Sequence, residues 1–445
     1  MKYNIGMVSL GCAKNLTDTE TMLGILDSEG FEIVSELEEA DVIIVNTCGF
    51  IESAKQESID TILEMAEYKK NRCKLLIVTG CLAERYNTQV IDEFPEIDAL
   101  CGVGDYPQIA KVITEAFEGK KPVLFGNENE PIEENLPRIT ATAPHVAYIK
   151  IAEGCDNNCT YCAIPEIRGH YRSRRIEDIV AEAEKLAENG VRELIVIAQD
   201  TTRYGKDIYG EYNLHELLLQ LCKIEKIKWM RVHYYYTEAI RDEFLVTMAE
   251  NEKICNYIDM PIQHINNDIL RRMARRTNRA EIEAVIKRIR ELMPDAVIRT
   301  SIITGFPGET DEQFNELYEF LEEYRLDRVG VFTYSPEEGT PAAGFSNQID
   351  EEVKNERLDI LMKLQQKISL IKNREKLETE IEVITEGFDE ECMMYYGRSR
   401  GDSLDVDQTV YFGAEFDIDA GDIVKVKVLN YSEYELMGQM TGKVS

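Results

Sequence analysis

Short apolar runs at residues 5–10, 42–45, 75–78 and 99–103 alternate with stretches whose apolar positions recur at helical spacing. Strands that alternate regularly with helices predict an open parallel α/β sheet, here over residues 1–120. The pattern stops between residues 121 and 144, where Pro131, Pro137 and Pro144 punctuate an acidic stretch over residues 128–134. Proline removes a backbone donor and ends regular structure, so this segment reads as a linker. A second alternating series follows, with strands expected at 146–151, 194–198, 230–233, 257–260, 297–303 and 329–332. Six strands with helices between them predict a partial (βα)6 barrel over 145–372. Its helices carry end signals: one at 176–188 is closed by Gly190, and one at 311–324 is opened by Thr310. After a long charged helix over 350–377, alternating strands such as 381–384 and 423–428 are separated by Gly-Asp turns. They predict a small five-stranded β-barrel over 373–445.

Composition narrows the picture. The chain of 445 residues is 44% hydrophobic and 30% charged with a net charge of −33. It is long enough for several cores and too apolar for disorder. The acidity disfavours direct nucleic-acid binding, which depends on clustered Lys and Arg, and favours a basic protein partner. No apolar run reaches the roughly 20 residues of a membrane span, and residues 1–14 lack a cleavable leader pattern, so no membrane association and a cytoplasmic location are expected. In that compartment thiols stay reduced, and the 11 cysteines read as metal or redox groups rather than as a disulfide framework.

Two cysteine sets carry chemistry. Cys155, Cys159 and Cys162 follow the first barrel strand directly, on the face where barrel active sites lie. Three thiolates at this spacing can ligate three irons of a cubane and leave the fourth open to another ligand. A zinc knuckle completed by His170 is the alternative. Cys12, Cys48 and Cys81 are distant in sequence, but each lies just past the end of a strand. Open α/β sheets bind ligands outside those ends, so the three could converge; three unrelated buried thiols is the plainer reading. Cys73, Cys101, Cys222, Cys255 and Cys392 have no such spacing and read as packing residues.

With Tyr161 as the aromatic before the last cysteine, the loop resembles the CxxxCxφC motif of the radical S-adenosylmethionine (SAM) superfamily. The segments Ser9-Leu10-Gly11-Cys12-Ala13-Lys14-Asn15, Asn46-Thr47-Cys48-Gly49-Phe50 and Thr79-Gly80-Cys81-Leu82-Ala83 are similar to the methylthiotransferase family within it. This resemblance implies two four-iron four-sulfur clusters, on Cys155, Cys159 and Cys162 and on Cys12, Cys48 and Cys81, with SAM bound at the first of these sets. It further implies an external electron donor, a sulfur donor and a TRAM-like C-terminal β-barrel. Tyr161 is expected to pack on the SAM adenine or on the barrel. Gln199 and Asp200, and the turn containing Thr304, Gly305, Gly308 and Glu309, are expected to approach SAM, although a Gly-Pro turn that merely starts a helix explains the latter equally well. Gln263 and His264 end the fourth barrel strand, where they either face the site or pack, and neither His233 nor His264 is assigned a proton-transfer role.

Two substrate classes follow from the resemblance: an adenosine in transfer RNA, or an aspartate β-carbon in the twelfth protein of the small ribosomal subunit. From Glu375 onward there are 17 acidic and 6 basic residues, a field that suits a basic ribosomal protein better than phosphates. The Arg271-Arg272-Met273-Ala274-Arg275-Arg276 segment is the one basic cluster, expected to pair with the acidic surface or to contact nucleic acid. A non-catalytic iron-sulfur sensor or cluster carrier is the reading from another class.

Overall fold

A computed structural model describes residues 3–127 and 129–444. Glu128, where the acidic linker stretch begins, lies outside them. The first unit is a six-stranded, all-parallel sheet built from β1 (Asn4–Ser9), β2 (Glu32–Ile33), β3 (Val42–Thr47), β4 (Leu75–Gly80), β5 (Ala99–Cys101) and β6 (Val123–Leu124), in the order β2-β1-β3-β4-β5-β6. Every residue of β3 and β4 is buried, as expected for central parallel strands covered by helices on both faces. The two edge strands were not legible in the sequence because two residues are too few to show a period. One of them, β6, pairs Leu100 with Val123 inside the segment read as linker, so the sheet extends past residue 120.

The central unit contains β7 (Val146–Lys150), a short antiparallel pair β8 (Ala152–Glu153) and β9 (Arg172–Ser173), then β10 (Glu193–Ile197), β11 (Trp229–Val232), β12 (Tyr257–Asp259), β13 (Val297–Thr304) and β14 (Arg328–Thr333). Parallel pairing runs β7-β10-β11 and β12-β13-β14, and a bridge from Met230 to Ile254 joins the two halves. This is the expected six-stranded partial barrel, open between β7 and β14. The helix Asp311–Tyr324 begins with a reciprocal cap between Thr310 and Gln313, which satisfies two otherwise unpaired backbone donors.

The C-terminal unit closes five strands, β15 (Glu380–Asp389), β16 (Met394–Ser399), β17 (Thr409–Gly413), β18 (Ile423–Tyr431) and β19 (Glu435–Lys443), into a barrel ordered β15-β16-β17-β19-β18. It is not a tethered appendage. The helix Glu351–Glu375 runs through the expected boundary at 372, and the loop between β16 and β17 packs against the strands of the central barrel. Leu404 packs against the cluster of Val146, Tyr148, Ile195 and Ile197, which Ala13 and Leu16 of the first unit also cover. Ion pairs seal the junction. Glu193 accepts from Arg231 at 3.1 Å and Arg398 at 2.6 Å, and Arg328 reaches Asp402 at 2.7 Å. Burial alone would raise the Glu193 carboxyl, but the two guanidiniums hold it down to about 2. His233 meets the Ser403 hydroxyl at 2.9 Å, and burial depresses its imidazole to about 4.

Candidate active site

Cys48 and Cys81 stand immediately after the C-terminal ends of β3 and β4, and Cys12 three residues after that of β1; the three strands are neighbours in the sheet. Parallel pairing therefore brings to one edge three residues that the sequence keeps far apart. Asn15 organises the edge. Its Nδ2 donates to the carbonyls of Leu10 at 3.0 Å and Thr47 at 2.9 Å, and its Oδ1 accepts from the Cys81 thiol at 3.5 Å, so one buried amide ties all three cysteine loops together. Gly11 permits the approach, since a Cβ there would lie 2.8 Å from the Cβ of Cys48. Cys12 is exposed, Cys48 half-buried and Cys81 buried. Burial pushes the Cys81 thiol up to about 11 and also raises Cys48. Cys12 is lowered despite its burial penalty, because Lys14, Arg168 and the amides of Asn15 and Lys14 favour the thiolate.

The second set needs no such assembly. Cys155, Cys159 and Cys162 lie on one loop that leaves the β7–β8 segment and enters the helix Ile164–Arg168. The Cys155 amide donates to the Gly169 carbonyl at 3.0 Å, and the loop folds back on itself as Cys162 N donates to Cys159 O at 3.1 Å. Asn157, inside the loop, donates to Asp200 at 2.8 Å. Burial pushes Cys155 up to about 12 and raises Cys162 further. A metal ion displaces the proton from such thiols, so folding and metal loading are coupled. Tyr236 Oη lies 3.5 Å from Cys159 Sγ, and its ring stacks under the Arg275 guanidinium at 4.2 Å.

One short helix joins the two sets. It starts two residues after Cys162, and its Ala163 and Ile167 flank pack against Cys81 and Val103 of the first unit. Beside it opens a cleft of about 700 Å3, lined by Phe50 from the Cys48 loop, Tyr161 from the Cys162 loop, and Gln263, Ser301, Ile303 and Phe332 from the barrel strands. Glu337 locks the two units along its rim, accepting from Arg85 at 3.0 Å and from the Glu52 amide at 2.8 Å. No group of three or more His, Cys, Asp or Glu among the described residues is arranged to hold a single metal ion. His170, the candidate fourth ligand of a zinc knuckle, is exposed and paired with Asp156 at 3.0 Å instead.

The remaining expected residues divide into two groups. Tyr161 lines the cleft and also packs against the buried cluster of Ile269, Met273, Phe306, Tyr334 and Ala342. Gln199 donates from Nε2 to Glu153 at 2.6 Å while its buried Oε1 has no partner. Asp200 is fully buried, engaged with Asn157 and Thr202, and burial pushes its carboxyl up to about 6. The Thr304 turn is built differently. Along β13 alternate residues face opposite ways, so Ser301 and Ile303 face the cleft while the Thr304 hydroxyl bonds to the carbonyls of Phe332 and Lys354, both at 3.4 Å. Glu309 is buried against Arg357 at 2.9 Å, His264 at 3.1 Å and the Gly305 amide. Gly305 and Gly308 both adopt the left-handed backbone that the turn requires, and Arg272 lies against Gly308.

Sequence reading missed several site residues. Arg275 is buried beside the second cysteine set with its Nε unpartnered, and the unpartnered carboxylate oxygen of Glu238 is within electrostatic reach. The basic segment around Arg275 is therefore not one surface patch: Arg271 pairs with Asp268 outside, whereas Arg275 faces inward. Cys392 is also not a packing residue, because it sits exposed on the hairpin tip after Asp389. Asn15, three residues after Cys12, carried a local signal; Arg168 and Glu238 carried none.

Comparison with known proteins adds the following. Residues 4–102 match Uncharacterized protein family UPF0004, residues 149–321 the Radical SAM superfamily, and residues 379–441 the TRAM domain. The chain is 49% identical over 452 residues to "Ribosomal protein uS12 methylthiotransferase RimO" of Acetivibrio thermocellus, covering 100% of both chains. Its counterpart of the same name in Clostridium botulinum is 53% identical over 440 residues, covering 98% of each. Among solved structures, the radical SAM methyltransferase TsrM from Kitasatospora setae, with cobalamin and a [4Fe-4S] cluster bound, superposes with a TM-score of 0.57 at 15% identity over 77% of each chain. That likeness is one of fold.

Proposed function

We propose that this chain, which belongs to the RimO family of ribosomal protein uS12 methylthiotransferases, is a radical SAM transferase that inserts sulfur and a methyl group at the β-carbon of an aspartate in that ribosomal protein. The observation that carries the reading is the placement of two cysteine sets on either side of one short helix and beside one cleft. Cys155, Cys159 and Cys162 would hold one four-iron four-sulfur cluster, and Cys12, Cys48 and Cys81 a second. The donor sets fit: each offers three thiols, few enough to leave one iron open, and each is surrounded by amides and a guanidinium that favour thiolate. When bound, these groups and SAM supply one-electron cleavage of SAM and a seat for the sulfur that is transferred.

The chain's own residues supply placement. Gln199 Oε1, the Glu238 carboxylate and Arg275 Nε are buried polar atoms without partners around the second set, and they match the ammonium and carboxylate ends of SAM. Tyr161 presents a ring to the cleft, where an adenine can pack. Asp200 fixes the cysteine loop through Asn157. Gly305, Gly308, Thr304 and Glu309 shape the wall beyond Ile303, with Glu309 clamped by His264 and Arg357. The cleft between the units admits a protruding peptide loop, and the acidic C-terminal barrel favours a basic owner of that loop.

Anaerobic reconstitution with iron, sulfide, SAM and a low-potential reductant, offered ribosomal protein uS12 and transfer RNA in parallel, tests the assignment by mass spectrometry. A methylthio adduct on the protein is expected. Modified RNA beside unmodified protein would overturn the substrate, and absence of 5'-deoxyadenosine would favour a cluster carrier.

A further inference from the structure

Arg168 has no place in the cleft and is not a thiol ligand, yet it is only 2% exposed and its guanidinium is fully engaged. It ends the helix Ile164–Arg168, so it belongs to the segment of Cys162. Its Nη2 nevertheless points into the other set, donating to Cys81 Sγ at 3.5 Å and to Asn15 Oδ1. Its Nη1 donates to Asp18 at 2.7 Å and to Glu153, two residues before Cys155, at 3.2 Å. Lys150 completes the group with contacts of 2.5 Å to Asp18 and 2.6 Å to Glu153.

We infer that Arg168 is a positioning residue that sets the reduction potential of whatever iron-sulfur cluster Cys12, Cys48 and Cys81 hold, through an N–H aimed at the Cys81 sulfur. The inference rests on the proposed reading of that set as a cluster site. Adding an electron to a cluster increases negative charge on its sulfurs, and a donor or cation beside them stabilises the reduced form and raises the potential. The interaction acts in a water-poor interior, where a fixed charge counts for more than in solvent. Two features make Arg168 suited to this. A guanidinium does not lose its proton in proteins, so its charge persists at every working pH. Its planar fork places Cys81 and Asn15 on one nitrogen and Asp18 and Glu153 on the other, a separation that the compact ammonium of lysine does not span. The surrounding charges balance, since Lys150 and Arg168 face Asp18 and Glu153. The effect on the cluster is accordingly local to the one N–H that faces sulfur, and the same side chain ties the geometry of the first set to the loop of the second.

The test uses full-length chain in which Cys155, Cys159 and Cys162 are all replaced by Ala, so that only the first set can bind iron after anaerobic reconstitution. Arg168→Lys keeps the charge balance but withdraws the N–H from sulfur, and redox titration followed by EPR should show its midpoint potential shifted downward at unchanged iron content. In the Arg168 chain labelled with [guanidino-15N]arginine, pulsed EPR of the reduced cluster should show one 15N coupling. Equal potentials, or no 15N coupling, would overturn the inference. If Arg168→Lys loses iron, the labelled chain decides by itself. If the background chain binds no iron at all, the reading of the first set fails and the inference with it.

Discussion

The two cysteine sets each offer three thiols but are made in opposite ways. Cys155, Cys159 and Cys162 lie within eight residues on one loop, whose own backbone bonds bring the thiols together and which Asn157 and Thr160 anchor to Asp200, Arg272, Met273 and Ala342. Cys12, Cys48 and Cys81 come from three strand ends, and they stay together because β1, β3 and β4 are paired and Asn15 bonds across the gaps. A local site tolerates damage to its surroundings. An assembled site is as sound as the fold that assembles it.

The largest effects should separate the two sets by chemistry. Cys155→Ala is expected to abolish 5'-deoxyadenosine formation while iron remains on the first set; Cys12→Ala should keep SAM cleavage and lose methylthio transfer. Iron analysis and nucleoside chromatography check both, and identical phenotypes would erase the division of labour. Next comes the junction under the barrel. Glu193→Gln leaves the buried Arg231 without its carboxylate, while Arg398 keeps Glu386, a change that costs about 4 kcal/mol. Because Glu193 lies on β10, denaturant unfolding should show a lower midpoint in Glu193→Gln than in the parent chain, and equal midpoints would count against the junction's role.

Acid probes the same junction more gently. The folded His233 imidazole is held near 4, below the roughly 6.5 of an unfolded chain. Its contribution is intact above pH 6.5 and is lost as pH falls from 6.5 toward 4, on the order of 3 kcal/mol in all. Urea unfolding between pH 7.5 and 5 should therefore show a steeper decline in the parent chain than in His233→Asn, and matching slopes would count against it. The smallest effects sharpen the comparison itself. Asn15→Ala strands two carbonyls and should cost about 2 kcal/mol together with the iron of the first set. Asn157→Ala should cost about 1 kcal/mol and leave iron on the second set largely in place. Equal iron losses in the two variants would refute the distinction between local and assembled sites.

Legibility followed the same line. The apolar periodicity located the long strands of the first sheet and all six of the barrel, because a buried strand needs a run of apolar residues that is visible wherever it occurs. The two-residue edge strands β2 and β6, the latter hidden in the proline-punctuated segment, were too short to carry a period. The Thr304 turn was placed correctly at the end of β13, but strand parity decided that Ser301 and Ile303, rather than Thr304, face the cleft. Arg271 through Arg276 read as one basic patch, yet the chain turned Arg275 inward and left Arg271 outside.

By itself the sequence determined everything that depends on neighbours along the chain: the strand–helix alternation, the capped helices, the spacing of Cys155, Cys159 and Cys162, and the excess of acidic residues. Only the tertiary structure decided which distant groups meet. It joined the Cys12, Cys48 and Cys81 loops through Asn15, carried Arg168 from the loop of one cysteine set to the Cys81 sulfur of the other, and lodged Leu404 and Asp402 of the C-terminal barrel against the central one. The physical reason is that spacing and periodicity record local geometry. Contacts between residues a hundred positions apart depend on strand order and packing, which no short stretch of sequence contains.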